Sequence, residues 1–271
     1  MHQANGRPTF HGRVESWECD FNGHWNTRFY CRSFQTAAEV AAALDGRPNR
    51  DEVVVTGRHM RFHRELLCNE AFAIGSFVQN VAGTAVTVHH LHRHGQMLAT
   101  SVDDGLPPNA TLPPLPGALA ARVGPRGLTG LADAWRPDPE AGDVIELGPV
   151  RHDEVAKDGT LEFNAAIARL GPVSHHVLAG LGFTHEFTVK TGIGRMLVEL
   201  RYRRLGPCGP QDFLRGSGRL VASGGKSFVT ANLLSTHRGT PVALFETCLL
   251  AVDLGTRRAT EVPAFVLRTP P

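Results

Sequence analysis

From residue 20 to residue 30 the chain reads Asp20-Phe21-Asn22-Gly23-His24-Trp25-Asn26-Thr27-Arg28-Phe29-Tyr30, setting a carboxylate, two amides, an imidazole and a glycine just ahead of a helix-like stretch. A carboxylate can attack a carbonyl or activate water, and an imidazole can tune or relay a proton. Backbone N–H groups at a helix start, here near Gly23 and His24, can hold a developing oxyanion. Gly23 would let the backbone approach a bound carbonyl closely. Each residue also has a structural use: Asp20 or Asn22 as a cap or Asx turn, His24 as a hydrogen-bonded core imidazole, Asn26 as a turn amide, Tyr30 as helix packing. Together they point to acid–base or nucleophilic chemistry.

The elements around this segment follow one plan written twice. In the first half a strand is expected near Phe10 to Glu18 and a helix from about Arg28 to Leu44, with the Ala-rich run Ala37 to Ala43. Alternating strands follow around Val53 to Phe62, Ala71 to Val81, Thr84 to His92 and Met97 to Val102. From Asp104 to Gly142 the chain is dense in Pro and Gly, which cannot sustain a helix or a central strand, so a linker is predicted there. The second half gives a strand near Val144 to His152, a weaker helix near Asn164 to Leu181, and strands around Phe183 to Lys190, Arg195 to Arg203, Phe213 to Ser223, Ser227 to Ser235 and Val242 to Val252. The predicted organisation is a first repeat over 1–104, a linker over 105–142 and a second repeat over 143–271.

Particular residues support the duplication. Val14, Asp20 and Gly23 align with Val150, Ala156 and Gly159 at a constant shift of 136 positions, and Met60 to Arg64 aligns with Leu200 to Arg204 at a shift of 140, which also brings Cys68 onto Cys208. Where the first half has Asp20, Asn22, Gly23 and His24, the second has Ala156, Asp158, Gly159 and Thr160. The carboxylate position is empty there. Glu154, Asp158 and Glu162 lie close by, with solvation and turn formation as their expected work. A strand, a long helix and a run of strands in each half predict α+β architecture: two curved antiparallel sheets, each wrapped round its helix, forming one continuous sheet.

The pattern Asp20-x-Asn22-Gly23-His24-x-Asn26-x-x-x-Tyr30, after a strand carrying Trp17 and at the opening of a helix, resembles the hotdog-fold thioesterases of the acyl-carrier-protein and 4-hydroxybenzoyl-CoA types. Repeat order extends the resemblance to a double hotdog. It implies an acyl thioesterase acting on an acyl-CoA or acyl-carrier-protein thioester, with Asp20 as nucleophile or general base, Asn22 and His24 as its polar partners, and amides near Gly23 and His24 as oxyanion hole. Two pseudo-equivalent sites are implied, of which the Asp20 copy works and the Ala156 copy is degenerate. Asn26, Tyr30 and the arginines Arg61, Arg64, Arg201 and Arg203, with Arg204 beside them, are the expected substrate contacts, since guanidinium forks suit CoA phosphates; a solvated strand end is the plainer use of those arginines. Other readings are a hotdog hydratase or dehydratase on an enoyl or hydroxyacyl thioester, and a non-catalytic acyl-thioester binding protein. Hotdog proteins often pair further, so a homo-oligomer is a hypothesis the resemblance raises. No metal or organic cofactor is implied.

Composition sets outer bounds. A formal charge of +2 is too near balance to argue for nucleic acid or a membrane surface, although 14 histidines make it sensitive to mild acid. Five scattered cysteines without a C-x-x-C spacing read as reduced thiols, and a polar Met1 to His11 with no long apolar run reads as a soluble, unexported, cytoplasmic protein. His90, His92 and His94 recur at period two on one strand face, but no carboxylate or cysteine accompanies them, and His94-Gly95 reads as a turn, so no metal site is expected. Ser223-Gly224-Gly225-Lys226-Ser227 reads as a hairpin turn, and Gly192-x-Gly194 and Gly216-x-Gly218 lack the third glycine of a dinucleotide site.

Overall fold

Apolar residues at alternate positions build the strands, and a long Ala-rich stretch without glycine or proline builds the first helix. The computed structural model describes residues 5–20, 23–47, 53–107, 109–128 and 144–267. The chain divides into two units, Met1–Gly124 and Pro125–Pro271.

In the first unit the elements are β1 (Arg7–Arg13), α1 (Thr27–Leu44), β2 (Gly57–Phe62), β3 (Ala71–Val81), β4 (Thr84–Arg93), β5 (Gln96–Asp104) and α2 (Gly117–Val123). Its strands lie antiparallel in the order β1-β3-β4-β5-β2. Tyr30, Cys31, Phe34, Ala37, Ala38, Ala41 and Ala42 of α1 are buried, and the small alanines let the helix lie close on the sheet. The strand expected to reach Glu18 stops at Arg13, and a single 3₁₀ turn, Ser16–Glu18, follows it. Helix α2 occupies part of the stretch expected to hold only linker: residues 117–123 contain no proline, and Pro116 stands just before the first turn, where a missing N–H costs nothing.

Beneath α1 a connected polar and charged row lies beside apolar contacts such as Cys31 on Met60 and Tyr30 on Phe62. Arg58 on β2 stands directly opposite Asp103 on β5, and the guanidinium grips the carboxylate with Nε to Oδ1 at 2.8 Å and Nη2 to Oδ2 at 2.5 Å. Ser101 donates to Asp103 Oδ1 at 2.7 Å, His89 Nε2 lies 3.3 Å from Oδ2, and His89 Nδ1 meets the Ser76 hydroxyl at 2.7 Å. Thr9 completes the row at 2.7 Å from Ser76. All six residues are buried, and Phe34 of α1 packs its ring near His89. His90, one residue on, points to the opposite face beside His92, their ring centroids 5.1 Å apart, while His94 sits in the β4–β5 turn with φ +50°.

The second unit contains β6 (Ile145–Pro149), α3 (Phe163–Gly180), α4 (His185–Thr191), β7 (Ile193–Arg204), β8 (Phe213–Gly224), β9 (Ser227–Thr236), β10 (Pro241–Asp253), β11 (Arg258–Ala259) and α5 (Ala264–Leu267). Its strands run β7-β10-β9-β8-β6, with β11 beside β10. Gly216 and Gly218 have a packing role: a Cβ at Gly216 would sit 2.1 Å from Val173 Cγ2 on α3, and one at Gly218 would sit 2.7 Å from the Ala231 carbonyl. One expected strand, Phe183 to Lys190, is instead helix α4. Thr184 caps it by accepting from the Phe187 amide at 3.1 Å, Gly192 closes it at φ +69°, and Phe183 and Phe187, one turn apart, both pack on Phe265. An apolar pair at spacing four is a helical signal, which the reading by alternation missed.

Asp103→Asn leaves Arg58 buried without its counter-charge, so chemical denaturation should show a loss of about 3–5 kcal/mol. Burial opposes ionisation of Asp103, but Arg58 and His89 hold its carboxyl well below the usual carboxylate range. Burial also pushes His63 and His90 down to about 4, helped by Arg61 and Arg122 beside His63 and by His92, Arg122 and His63 around His90. An imidazole harder to protonate when folded contributes stability that is complete above its unfolded value of 6.5 and is lost as the pH falls toward about 4. Calorimetry should therefore find Tm falling from pH 6.5 to pH 4, with a shallower fall in His90→Leu.

Candidate active site

The Asp20 segment is a tight turn pinned on both sides. The Asp20 amide donates to the His24 carbonyl at 2.8 Å, the Gly23 amide donates to the Asp20 carbonyl at 3.0 Å, and the His24 amide donates to Asp20 Oδ1 at 3.0 Å. Gly23 stands at φ +76°, a left-handed conformation that explains a glycine there. Cys19 bridges Trp25 across the turn, and His24 bridges Leu67 on the far side. The Trp25 amide donates to the Leu66 carbonyl at 2.8 Å, and the Cys68 amide to the Gly23 carbonyl at 3.2 Å.

Glu18 sets the direction in which the chain leaves this turn. Its carboxylate is 3% exposed and accepts the Trp25 indole N–H at 2.8 Å and the Arg32 guanidinium, while its carbonyl accepts the Asn26 amide at 3.0 Å. Asn26 then caps α1 through its side chain, which accepts the Arg28 amide at 3.0 Å. Tyr30, one turn in, is buried, and its hydroxyl accepts the Leu66 amide at 2.9 Å. Burial pushes the Tyr30 phenol well above its ordinary value, so it stays protonated.

The expected site residues therefore separate. Asp20, Gly23 and His24 share one turn, Asn22 lies outside the described residues, and Asn26 and Tyr30 hold the helix start in place. The Gly23 and His24 amides, expected as oxyanion donors, are bonded to Asp20 itself, and α1 begins at Thr27, past them. Arg61 reaches the carbonyls of Arg122 and Gly124, both at 3.0 Å, at the end of α2. Arg201 is paired with buried Glu246 at 2.7 Å, Arg203 is half-buried on the same strand, and Arg64 is exposed. One partner was missed: Glu65 Oε1 lies 3.3 Å from His24 Nδ1, with both side chains partly exposed. Its place beside the Arg61 to Arg64 run carried no signal, because only the pairing of His24 with Leu67 brings it to the imidazole.

The second unit repeats the turn without the carboxylate. The Ala156 amide donates to the Thr160 carbonyl at 2.9 Å, Gly159 donates to Ala156 at 3.0 Å with φ +75°, and the Cys208 amide donates to Gly159 at 2.9 Å. Helix α3, like α1, has 18 residues and starts 136 positions later. The nearby acids are engaged: Asp158 accepts from Thr160 and pairs with Arg204 at 2.5 Å, and Glu154 pairs with Arg169 at 2.6 Å. Those partners lower the carboxyl pKa of both acids, against the opposing effect of burial.

Residues 14–122, which hold the Asp20 turn, match the model of the thioesterase-like superfamily. This part of the chain is similar to that superfamily, and the chain has the hotdog fold. The similarity in fold extends over both units. A 12:0-ACP thioesterase from Umbellularia californica is 13% identical with TM-score 0.60, over 93% of this chain and 95% of its own. An acyl-ACP thioesterase from Bacteroides thetaiotaomicron is 11% identical with TM-score 0.59, over 92% and 99%. An acyl-CoA thioesterase II from Mycobacterium marinum is 16% identical with TM-score 0.51, over 93% and 95%. No curated protein matches the sequence at a significant level. No described helix of this hotdog chain is long and apolar enough to cross a membrane.

Tyr30→Phe removes the acceptor for the Leu66 amide within the hotdog core, and urea unfolding should register a loss of about 1–3 kcal/mol.

Proposed function

We propose that the chain is an acyl thioesterase that hydrolyses an acyl-CoA or acyl-carrier-protein thioester, with Asp20 as nucleophile or general base. The observation that carries this reading is a carboxylate held in a glycine-closed turn ahead of α1, inside the part of the chain that matches the thioesterase-like superfamily. The His24 amide binds Oδ1 and orients the carboxyl group for attack on the thioester carbonyl or activation of water. Glu65 Oε1, 3.3 Å from His24 Nδ1, orients the imidazole beside the turn.

The developing oxyanion needs donors other than those bonded within the turn. The first turn of α1 carries the positive end of an 18-residue helix and is the proposed source of that stabilisation. The thiolate that leaves is a weak base and needs little help from an acid. Arg64, exposed at the end of β2, is the arginine best suited to a CoA phosphate, whereas Arg61 and Arg201 already have structural partners. The Ala156 turn serves as scaffold, because its acids are held by Arg204 and Arg169.

Free-thiol release from a panel of acyl-CoA and acyl-carrier-protein thioesters tests this. Asp20→Asn should lower kcat/KM by at least ~10²-fold and Asp158→Asn should change it little. Equal rates for Asp20→Asn and wild type would sink the assignment.

A further inference from the structure

Strand alternation sends His89 under α1 and His90 to the opposite face of the first unit's sheet. There His90 stands directly opposite Gly75 on β3 and Thr100 on β5, and Thr100 stands opposite Arg61 on β2. Side chains paired in this way lie about 5 Å apart at Cβ. His92 joins from the same strand, its ring centroid 5.1 Å from that of His90, and His63 lies beside β5 with its amide on the Leu98 carbonyl at 2.8 Å. The end of α2 covers this group: Val123 packs with Val88, and Arg61 holds the carbonyls of Arg122 and Gly124. His90 is 3% exposed and Thr100 1%, yet neither ring nitrogen of His90 nor the Thr100 hydroxyl has a hydrogen-bond partner among the described residues. The same holds for His63 Nε2 and His92 Nδ1. A neutral imidazole always carries one N–H, so buried donors are left unmet here, which opposes folding.

The fold does not demand polar residues at these positions. Leu233 is the seventh of ten residues in β9, as His90 is in β4, and it stands between Ser217 on β8 and Leu244 on β10. Both leucines are buried in an apolar cluster, so the second unit fills the matching place without an unmet donor. We propose that His90, Thr100, His63 and Arg61 bind a phosphate-type oxyanion under the end of α2. Imidazole N–H, hydroxyl and guanidinium groups all donate to such an anion, and a guanidinium fork matches its geometry. The charges that act on His63, His90 and His92 come from Arg61 of β2, Arg122 of α2, His11 of β1 and the three imidazoles themselves, and all are basic. A cation does not fit: the charges have one sign, and among the described residues no three His, Cys, Asp or Glu side chains are placed to hold a metal. His63 and His92 are partly exposed and Arg122 is exposed, which gives the anion its way in. Inorganic phosphate and the phosphate monoester of a nucleotide thiol such as CoA share this chemistry.

Titration of the full wild-type chain with inorganic phosphate, followed through the histidine ring signals by NMR, tests the site without any substitution. The His90 and His63 signals should shift and saturate together, while those of His152 and His185, exposed in the second unit, stay in place. Phosphate affinity from calorimetry should fall at least ~10-fold in His90→Leu, which installs the second unit's residue, and in Thr100→Val. Unmoved His90 and His63 signals in wild type, or equal affinity in wild type and His90→Leu, overturns the proposal. CoA and dephospho-CoA, which lacks the 3′-phosphate, distinguish the sources. A shift of the same two signals with CoA but not with dephospho-CoA upholds the site as one for the terminal phosphate of a nucleotide, and a shift with inorganic phosphate alone upholds it as one for the free anion. None of these measurements reads hydrolysis, so they stand even where Asp20→Asn refutes the thioesterase reading.

Discussion

A buried carboxylate, Glu18, fixes the geometry on which the candidate site depends. It accepts the Trp25 indole and the Arg32 guanidinium, and its carbonyl accepts the Asn26 amide, so the strand exit, the Asp20 turn and the first turns of α1 are tied to one residue. An acid this deeply buried is costly unless its charge and lone pairs are matched, and here an arginine and an indole N–H match them. Glu154 repeats the arrangement in the second unit, with Arg169 as counter-charge and a carbonyl that accepts the Glu162 amide at 2.8 Å. An acid kept in both copies, one with Asp20 and one with Ala156, belongs to the scaffold of the hotdog fold.

The two units share this scaffold and differ in what lies beneath their helices. The first places Arg58, Asp103, His89, Ser76, Ser101 and Thr9 under α1 in a connected polar row. The second has an apolar cluster of Leu178, Phe183, Leu220, Phe228, Leu249 and Val266, with the Thr230–Thr247 hydroxyl pair at 2.7 Å among its buried polar contacts. A charged row tolerates little displacement, because moving one member leaves another buried and unmatched.

Much of the fold was legible in the residues. The bounds of α1, β3 and β9 follow from helical spacing and alternation almost to the residue, and the shift of 136 between halves reappears as matching hydrogen bonds around Gly23 and Gly159. Helix α4 was misread because four residues of apparent alternation cannot be told from one helical turn, and Thr184 and Gly192 are the capping signals that decide it. Residues 117–123 were misread because flanking prolines masked a short proline-free run.

The sequence by itself determined that a carboxylate, a glycine and an imidazole stand together before a helix, and that the second copy has an alanine in the carboxylate's place, because local turn chemistry and repetition are properties of the chain order. It could not determine who meets whom across strands. Glu65 beside His24, the Cys68 amide on the Gly23 carbonyl, Arg61 at the end of α2 and Arg201 on Glu246 all depend on pairings between distant segments. The Gly23 and His24 amides go to Asp20 for a local reason, since a turn this tight satisfies its own donors, and the helix that could face a substrate begins only at Thr27.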